Sequence, residues 1–217
     1  MTQWRIISAA RRVTFCPVAL DLRDEFTGRG AFGPIGLRLD RQIGSDWAPT
    51  NLQPARNSAG VFLYTGLGRM FDPAALPGFR IRVRIEAEYY RPAFGTTDDG
   101  IEFDVPTYND TVPPLVSPLV PEVVLMLPTT GYPFGGHVRR IHGRVLDPGG
   151  APLADATVEA DGVERVITDE RGAFTLPLRW QTATANVNVA HLRSGQVAAQ
   201  IFNLPADLTG NHDITVT

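Results

Sequence analysis

Few residues of this 217-residue sequence fall at spacings that could do chemistry. Gly28-Arg-Gly-Ala-Phe-Gly33 has the glycine spacing of a dinucleotide-binding loop, but such a loop needs a strand before it and a helix N-terminus after it. Here Pro34 and then another strand-like run follow, so a flexible inter-strand loop is expected. Asp98-Asp99-Gly100 with Glu102 and Asp104 offers oxygen ligands for a hard cation, yet lacks the ordered spacing of a calcium loop and reads as a solvated turn. His137, His142, His191 and His212 are scattered, so a shared metal would need a tertiary coincidence. No serine sits in a nucleophile elbow, and Cys16 has no neighbour in sequence to activate it. The residues point to no enzyme, no metal and no small-molecule cofactor.

Composition narrows the options further. All 20 basic residues are arginine, set against 23 acidic residues for a net charge of -3. Without lysine there is no Schiff-base amine, no P-loop lysine and no Lys–Asn isopeptide crosslink. Two readings of the arginine stay open: a GC-rich genome, or a surface built for protein contacts, which the planar, weakly hydrated guanidinium suits. The small net charge provides no long-range field to recruit nucleic acid or anionic membrane. A single cysteine excludes an intramolecular disulfide framework and fits synthesis in a reducing compartment. Cys16 is then either a buried inert thiol or the site of an intermolecular bridge. The first residues, Met-Thr-Gln-Trp-Arg-Ile-Ile-Ser-Ala-Ala-Arg-Arg, do not read as a signal peptide, and no run approaches the roughly 18 apolar residues of a membrane span. A soluble chain made in the cytoplasm is the expectation.

The elements that must position these residues read as strands. Gly and Pro, 21 and 18 in number, punctuate short alternating segments throughout. In 79–88, Ile81, Val83, Ile85 and Ala87 alternate with Arg80, Arg82, Arg84, Glu86 and Glu88, the clearest period-two signal in the chain. Further strands are expected at 18–22, 35–39, 60–64, 123–127, 139–146, 156–160, 163–167, 173–176, 185–190 and 213–217. No amphipathic helix stands out. The fold class is therefore all-β: two tandem Ig-like or transthyretin-like β-sandwiches joined by a Pro/Gly-rich linker. The expected boundaries are 1–128 for the first sandwich, 129–138 for the linker and 139–217 for the second. Residues 105–136 hold seven prolines and no basic residue. They read in part as an extended segment that either covers the first sandwich's own core or offers a docking strip.

Laying one half over the other gives an internal repeat. Asn57-Ser-Ala-Gly-Val-Phe-Leu-Tyr64 matches Asp169-Glu-Arg-Gly-Ala-Phe-Thr-Leu176, a polar turn residue followed by a glycine and then a strand. Upstream, Asp24-Glu-Phe-Thr-Gly-Arg matches the turn that begins at Asp147. Downstream, 81–90 corresponds to 185–192, and 123–127 to 213–217.

The run from Ile141-His-Gly-Arg-Val-Leu-Asp through Gly150-Ala-Pro-Leu and Ala156-Thr-Val to Thr168-Asp-Glu-Arg-Gly-Ala-Phe resembles the carboxypeptidase regulatory-like family over about 139–217. The resemblance implies a seven-stranded, transthyretin-like sandwich. It implies no peptidase activity, because no histidine here is followed three residues later by the Glu of a zinc carboxypeptidase. The first half resembles a longer, degenerate copy.

Paired sandwiches without catalytic residues are expected to work as shape. The two-module layout is similar to proteins that accompany phage tails and contractile injection systems. The expected role is a structural, decoration or adaptor component of a virion or phage-tail-like particle, contacting other particle proteins and copies of itself in a homo-oligomer. The alternative is a module that recognises carbohydrate or a host surface. Candidate interface residues are Trp47, Tyr89, Tyr90, Arg91, Tyr108, Leu115, Val116, Leu119, Tyr132 and Phe134, aromatic, Arg and Pro-flanked apolar side chains of the kind that anchor interfaces. The edge of the terminal strand 213–217 could pair with a neighbour.

Overall fold

The computed structural model describes residues 15–75, 78–93, 100–109, 111, 120–180 and 182–217. Among them there is no α-helix. The first half contains β1 (Val18–Asp24), β2 (Ile35–Ile43), β3 (Asp46–Pro49), β4 (Ala55–Arg56), β5 (Phe62–Tyr64), β6 (Gly78–Ala87), β7 (Tyr90–Pro92), β8 (Ile101–Pro106) and β9 (Glu122–Pro128). The second contains β10 (Arg139–Leu146), β11 (Thr157–Ala160), β12 (Glu164–Ile167), β13 (Ala173–Leu178), β14 (Thr184–His191), β15 (Gln196–Asn203) and β16 (Asn211–Thr215).

The sheet orders show the same module twice. In the first half, β4-β5-β1-β9-β7 forms one sheet and β3-β2-β6-β8 the other; in the second, the sheets run β13-β10-β16 and β12-β11-β14-β15. β1 pairs antiparallel with β5 and parallel with β9, just as β10 pairs antiparallel with β13 and parallel with β16. β2 binds β3 and β6, and β6 binds β8; likewise β11 binds β12 and β14, and β14 binds β15. The repeat read from the sequence is therefore a repeat of topology. β4 and β7 are additions in the first copy.

Alternation sets each core. Ile81, Val83 and Ile85 of β6 point inward against Leu37 and Leu39 of β2 and Val18, Leu20 and Leu22 of β1, all buried. Val187, Val189 and Ala185 of β14 do the same against Val158, Ile141, Phe174 and Leu176. On the outer face of the first module, the alternating arginines find carboxylates. Arg84 Nε donates to buried Asp40 Oδ2 at 2.7 Å, and Arg82 Nη2 reaches the same oxygen at 3.2 Å.

One turn recurs at three places. At Asn57, Asp147 and Asp169 the side-chain Oδ1 accepts the backbone N–H groups two and four residues on, at 2.8–3.0 Å. In each, the residue's own carbonyl accepts the N–H of Gly60, Gly150 or Gly172 at 2.9–3.0 Å. Those glycines have φ of +86°, +84° and +69°, which a side chain would strain. The Asp24 turn is a version one residue longer, closed by Gly28.

Several expectations are refined. Glu102 and Asp104 lie on β8 rather than in a turn, both contacting Arg80 of β6, so they form a charge ladder across a strand pair. Gly28–Gly33 is an inter-strand loop, as expected. Residues 129–138 connect the modules but are pinned: Thr129 N–H donates to Tyr89 O at 2.9 Å, and Tyr132 and Phe134 are buried. Tyr108 is tied down too, exchanging backbone hydrogen bonds of 2.9 Å with Gly68 and Met70. The middle of the Pro-rich stretch, 112–119, lies outside the described residues.

The paired glycines make a test. A Cβ on Gly172 would lie 2.5 Å from Val145 O and 2.9 Å from Leu153 N, whereas at Gly60 the nearest atom is the Arg56 guanidinium tip at 3.6 Å. Gly60→Ala is expected to cost only the positive-φ strain, about 1–2 kcal/mol. Gly172→Ala adds a backbone clash and should lose at least about twice that, as read by urea denaturation.

Candidate functional site

The polar and aromatic residues that do most converge where the two modules meet. Asp24, at the end of β1, has no exposed surface. Its Oδ1 accepts Phe26 N–H at 2.9 Å, and its Oδ2 accepts Thr27 Oγ1–H and Tyr132 O–H at 2.7 Å each. Tyr132 anchors an edge-on cluster with Phe26, Phe32, Tyr90 and Phe134, ring centroids 4.5–5.8 Å apart. Burial and then the Asp24 contact push the Tyr132 hydroxyl well above the usual phenol range, and burial and the Asp24 charge do the same to Tyr90. Both stay neutral at any physiological pH.

Around this cluster, side chains cross from one module to the other. Arg91 of β7 donates to Asp155 Oδ1 at 2.8 Å and reaches Glu170 at 3.4 Å. Thr130 Oγ1 donates to Asp169 Oδ2 at 3.0 Å, so the second module's hairpin turn is held by the connecting segment through the carboxylate oxygen its own backbone leaves free. Arg165 Nε donates to Glu25 Oε1 at 2.9 Å. Arg179 covers the Phe26 ring at 4.4 Å, donates to the Phe26 carbonyl, and lies 2.6 Å from Glu164 Oε1. That last contact is ionic but too oblique to count as a directed hydrogen bond. Burial raises the Glu164 carboxyl above its ordinary range against the opposing pull of Arg179. A cleft of about 380 Å³ remains beside Arg91, lined by Ile85, Tyr90, Ile167 and Leu192 among others.

The expected interface residues divide. Tyr90, Tyr108, Tyr132 and Phe134 are buried, which corrects their expected exposure; a hydrophobic cluster at the junction and the Phe15 edge contact of Tyr108 use their rings. Arg91 is an interface residue between the two modules. Trp47 is half-buried with Arg82 4.7 Å over one face, and Tyr89 leans on Phe32. Leu115, Val116 and Leu119 lie outside the described residues. Asp24, Glu25, Phe26, Asp155, Arg165 and Arg179 were missed, because their partners are distant in sequence, 140 residues for Glu25 and Arg165.

Among the described residues, the charged groups of this junction are engaged in ion pairs and hydrogen bonds. Among the described residues, no group of three His, Cys, Asp or Glu side chains is placed to hold a metal ion. His191 Nδ1 lies 2.7 Å from Ser194 Oγ, but the serine hydroxyl donates to Gln196 Oε1 within a tight exposed turn, so the imidazole does not activate it. His142 faces Thr175, and burial followed by the Arg140 charge lowers its pKa. The Cys16 thiol is partly buried, donates to Val18 O and has its pKa raised by burial, the reverse of an activated nucleophile.

The second module's seven described strands, β10 to β16, and its Gly172 turn agree with the sandwich and the turn expected from its motifs. Residues 140–217 match the carboxypeptidase regulatory-like domain. A carboxypeptidase regulatory-like domain is an Ig-like, non-catalytic fold. No curated protein matches the chain. Among solved structures, the Bacillus anthracis TIE protein is similar at 12% identity and a TM-score of 0.28 over 92% of this chain and 33% of that one. The Streptococcal ancillary pilin is similar at 17% identity and a TM-score of 0.30 over 94% of this chain and 62% of that one. The chain thus spans about a third of the first protein and about three fifths of the second.

Glu164 gives the junction a pH signature. Its folded pKa is raised, so its contribution to stability is complete below the unfolded value, about 4.3, and is lost as pH rises through the folded value. Arg179→Ala removes the opposing charge and should cost about 1–3 kcal/mol near neutral pH but less near pH 4. Combining it with Glu164→Gln should restore most of the neutral-pH loss. Urea unfolding at the two pH values measures both.

Proposed function

We propose that the chain is a non-catalytic structural component, a decoration or adaptor, of a phage or phage-tail-like contractile particle, and that it acts through protein–protein interfaces. The observation that carries the structural part of this reading is the locked junction. Arg91, Arg165 and Arg179 each span the two modules, Thr130 ties the connecting segment to the second, and that segment is packed into the shared aromatic cluster. A flexible tether would let two binding modules search independently; a pinned one fixes the distance and angle between whatever the two ends hold. That geometry suits a part placed in many symmetric copies, where each copy must present its neighbours with the same surface.

A particle built of repeated neighbours is where a rigid pair of sandwiches would find such contacts, and it sets the experiment. Mass spectrometry of large particles sedimented from a lysate of the producing strain should find the chain at many copies per particle. Its absence from every sedimenting particle would overturn the particle assignment.

A further inference from the structure

Among the described residues, the eight sheet edges are not equally guarded. Seven carry a charge or a proline within the strand: Arg56 in β4, Arg91 and Pro92 in β7, Asp46 and Pro49 in β3, Glu102, Asp104 and Pro106 in β8, Pro177 in β13, Asp213 in β16, and Glu164 and Arg165 in β12. Those residues block pairing with another strand. β15, Gln-Val-Ala-Ala-Gln-Ile-Phe-Asn, has neither charge, proline nor glycine. Its outward side chains Val197 and Ile201 are 55% and 64% exposed, with exposed Ala199 between them. The topological counterpart β8 shows what a guarded edge at this position looks like.

The backbone says where a partner strand would fit. Val197 exchanges both of its hydrogen bonds with Thr217, at 3.0 and 3.3 Å, so its N–H and C=O point away from β14. By strand alternation the same holds for Ala199, Ile201 and Asn203. The Asn203 N–H is taken by Asp207 Oδ2 at 2.6 Å. Among the described residues, that leaves the backbone groups of Ala199 and Ile201 as the free ladder, closed off at one end by Thr217 and at the other by Asp207.

We infer that β15 pairs antiparallel with β15 of a second copy of this chain about a two-fold axis through Gln200. Only this register serves the free groups of both copies: Ala199 exchanges two hydrogen bonds with the partner's Ile201, and Ile201 two with the partner's Ala199. Shifting by two residues would require Val197 or Asn203 to give up its internal partner. The outer face then sets Ala199 against Ile201 across the seam, and the two four-stranded sheets become one of eight strands. A second copy is the favoured occupant because symmetric pairing sets like beside like. Charge on the strand would repel and a proline would break the ladder, and among the described sheet edges β15 alone carries neither.

The inference rests on the reading of the chain as an interface protein, and it is tested on the full-length chain in solution. Sedimentation velocity should give the dimer mass, and Ile201→Lys or Ala199→Glu should give a monomer that keeps the wild-type circular dichroism spectrum, since both side chains are exposed. In a Cys16→Ser background, Gln200→Cys should crosslink into a dimer on oxidation, because residues facing each other in a non-hydrogen-bonded antiparallel pair have Cα atoms about 4.5 Å apart, within disulfide reach. Asn186→Cys, on β14, should stay uncrosslinked. A monomeric wild type, a dimer that survives both charge substitutions, or equal crosslinking at Asn186→Cys would overturn the inference. A dimer in solution combined with absence from sedimented particles would support this contact while removing the particle assignment.

Discussion

A carboxylate without exposed surface, Asp24, sits where the first strand ends, the first turn begins and the connecting segment folds back. Buried oxygens of this kind are tolerated only when their lone pairs are filled, and here a backbone N–H, a threonine and a tyrosine fill them. Because Tyr132 is one of those donors, the segment between the modules cannot swing away without stranding Asp24. Pinning Tyr132 places Phe134 and Phe26 against each other, and Phe26 in turn gives Arg179 a ring and a carbonyl to hold. The relative placement of the two sandwiches thus follows from satisfying one oxygen pair, with the crossing ion pairs adding to it.

The two modules differ at their margins while sharing their turns. The Asx–glycine turn survives at Asn57 and at Asp169, but only the second has been recruited to the junction, through its spare oxygen to Thr130 and through Glu170 to Arg91. In the first module β7 covers the outer edge of β9, while among the described residues the matching edge of β16 has no such strand. The extra strands β4 and β7 lie at the sheet borders, outside cores already filled by alternation.

How far the sequence could be read follows from where each constraint lies. β6 was legible because its inward Ile81, Val83 and Ile85 contrast with outward arginines, and the turns were legible because Asx and glycine carry local backbone geometry. β8 is obscured in the sequence by Glu102 and Asp104, whose charges suit a polar turn; only the pairing with β6 brings Arg80 against both. β15 was missed for the opposite reason: both of its faces are apolar or neutral, so it has no period to detect. Tyr132 and Phe134, flanked by Pro133 and glycines, have the local pattern of an exposed linker. Their burial is a tertiary fact that no local spacing encodes. The junction's ion pairs were invisible for the same reason, since Arg165 and Arg179 look like any other exposed strand-end arginine.

The parallel pairing of first and last strands, β1 with β9 and β10 with β16, has a mechanical side. The chain enters each sandwich at one end of that pair and leaves at the other, so tension along the molecule pulls the two strands past one another. Five registered residue pairs in each module share the load at once, instead of opening one after another as a hairpin pulled from its open end would. Both modules therefore meet an axial force in shear, their stiffest direction, and a row of them would hold its length under load.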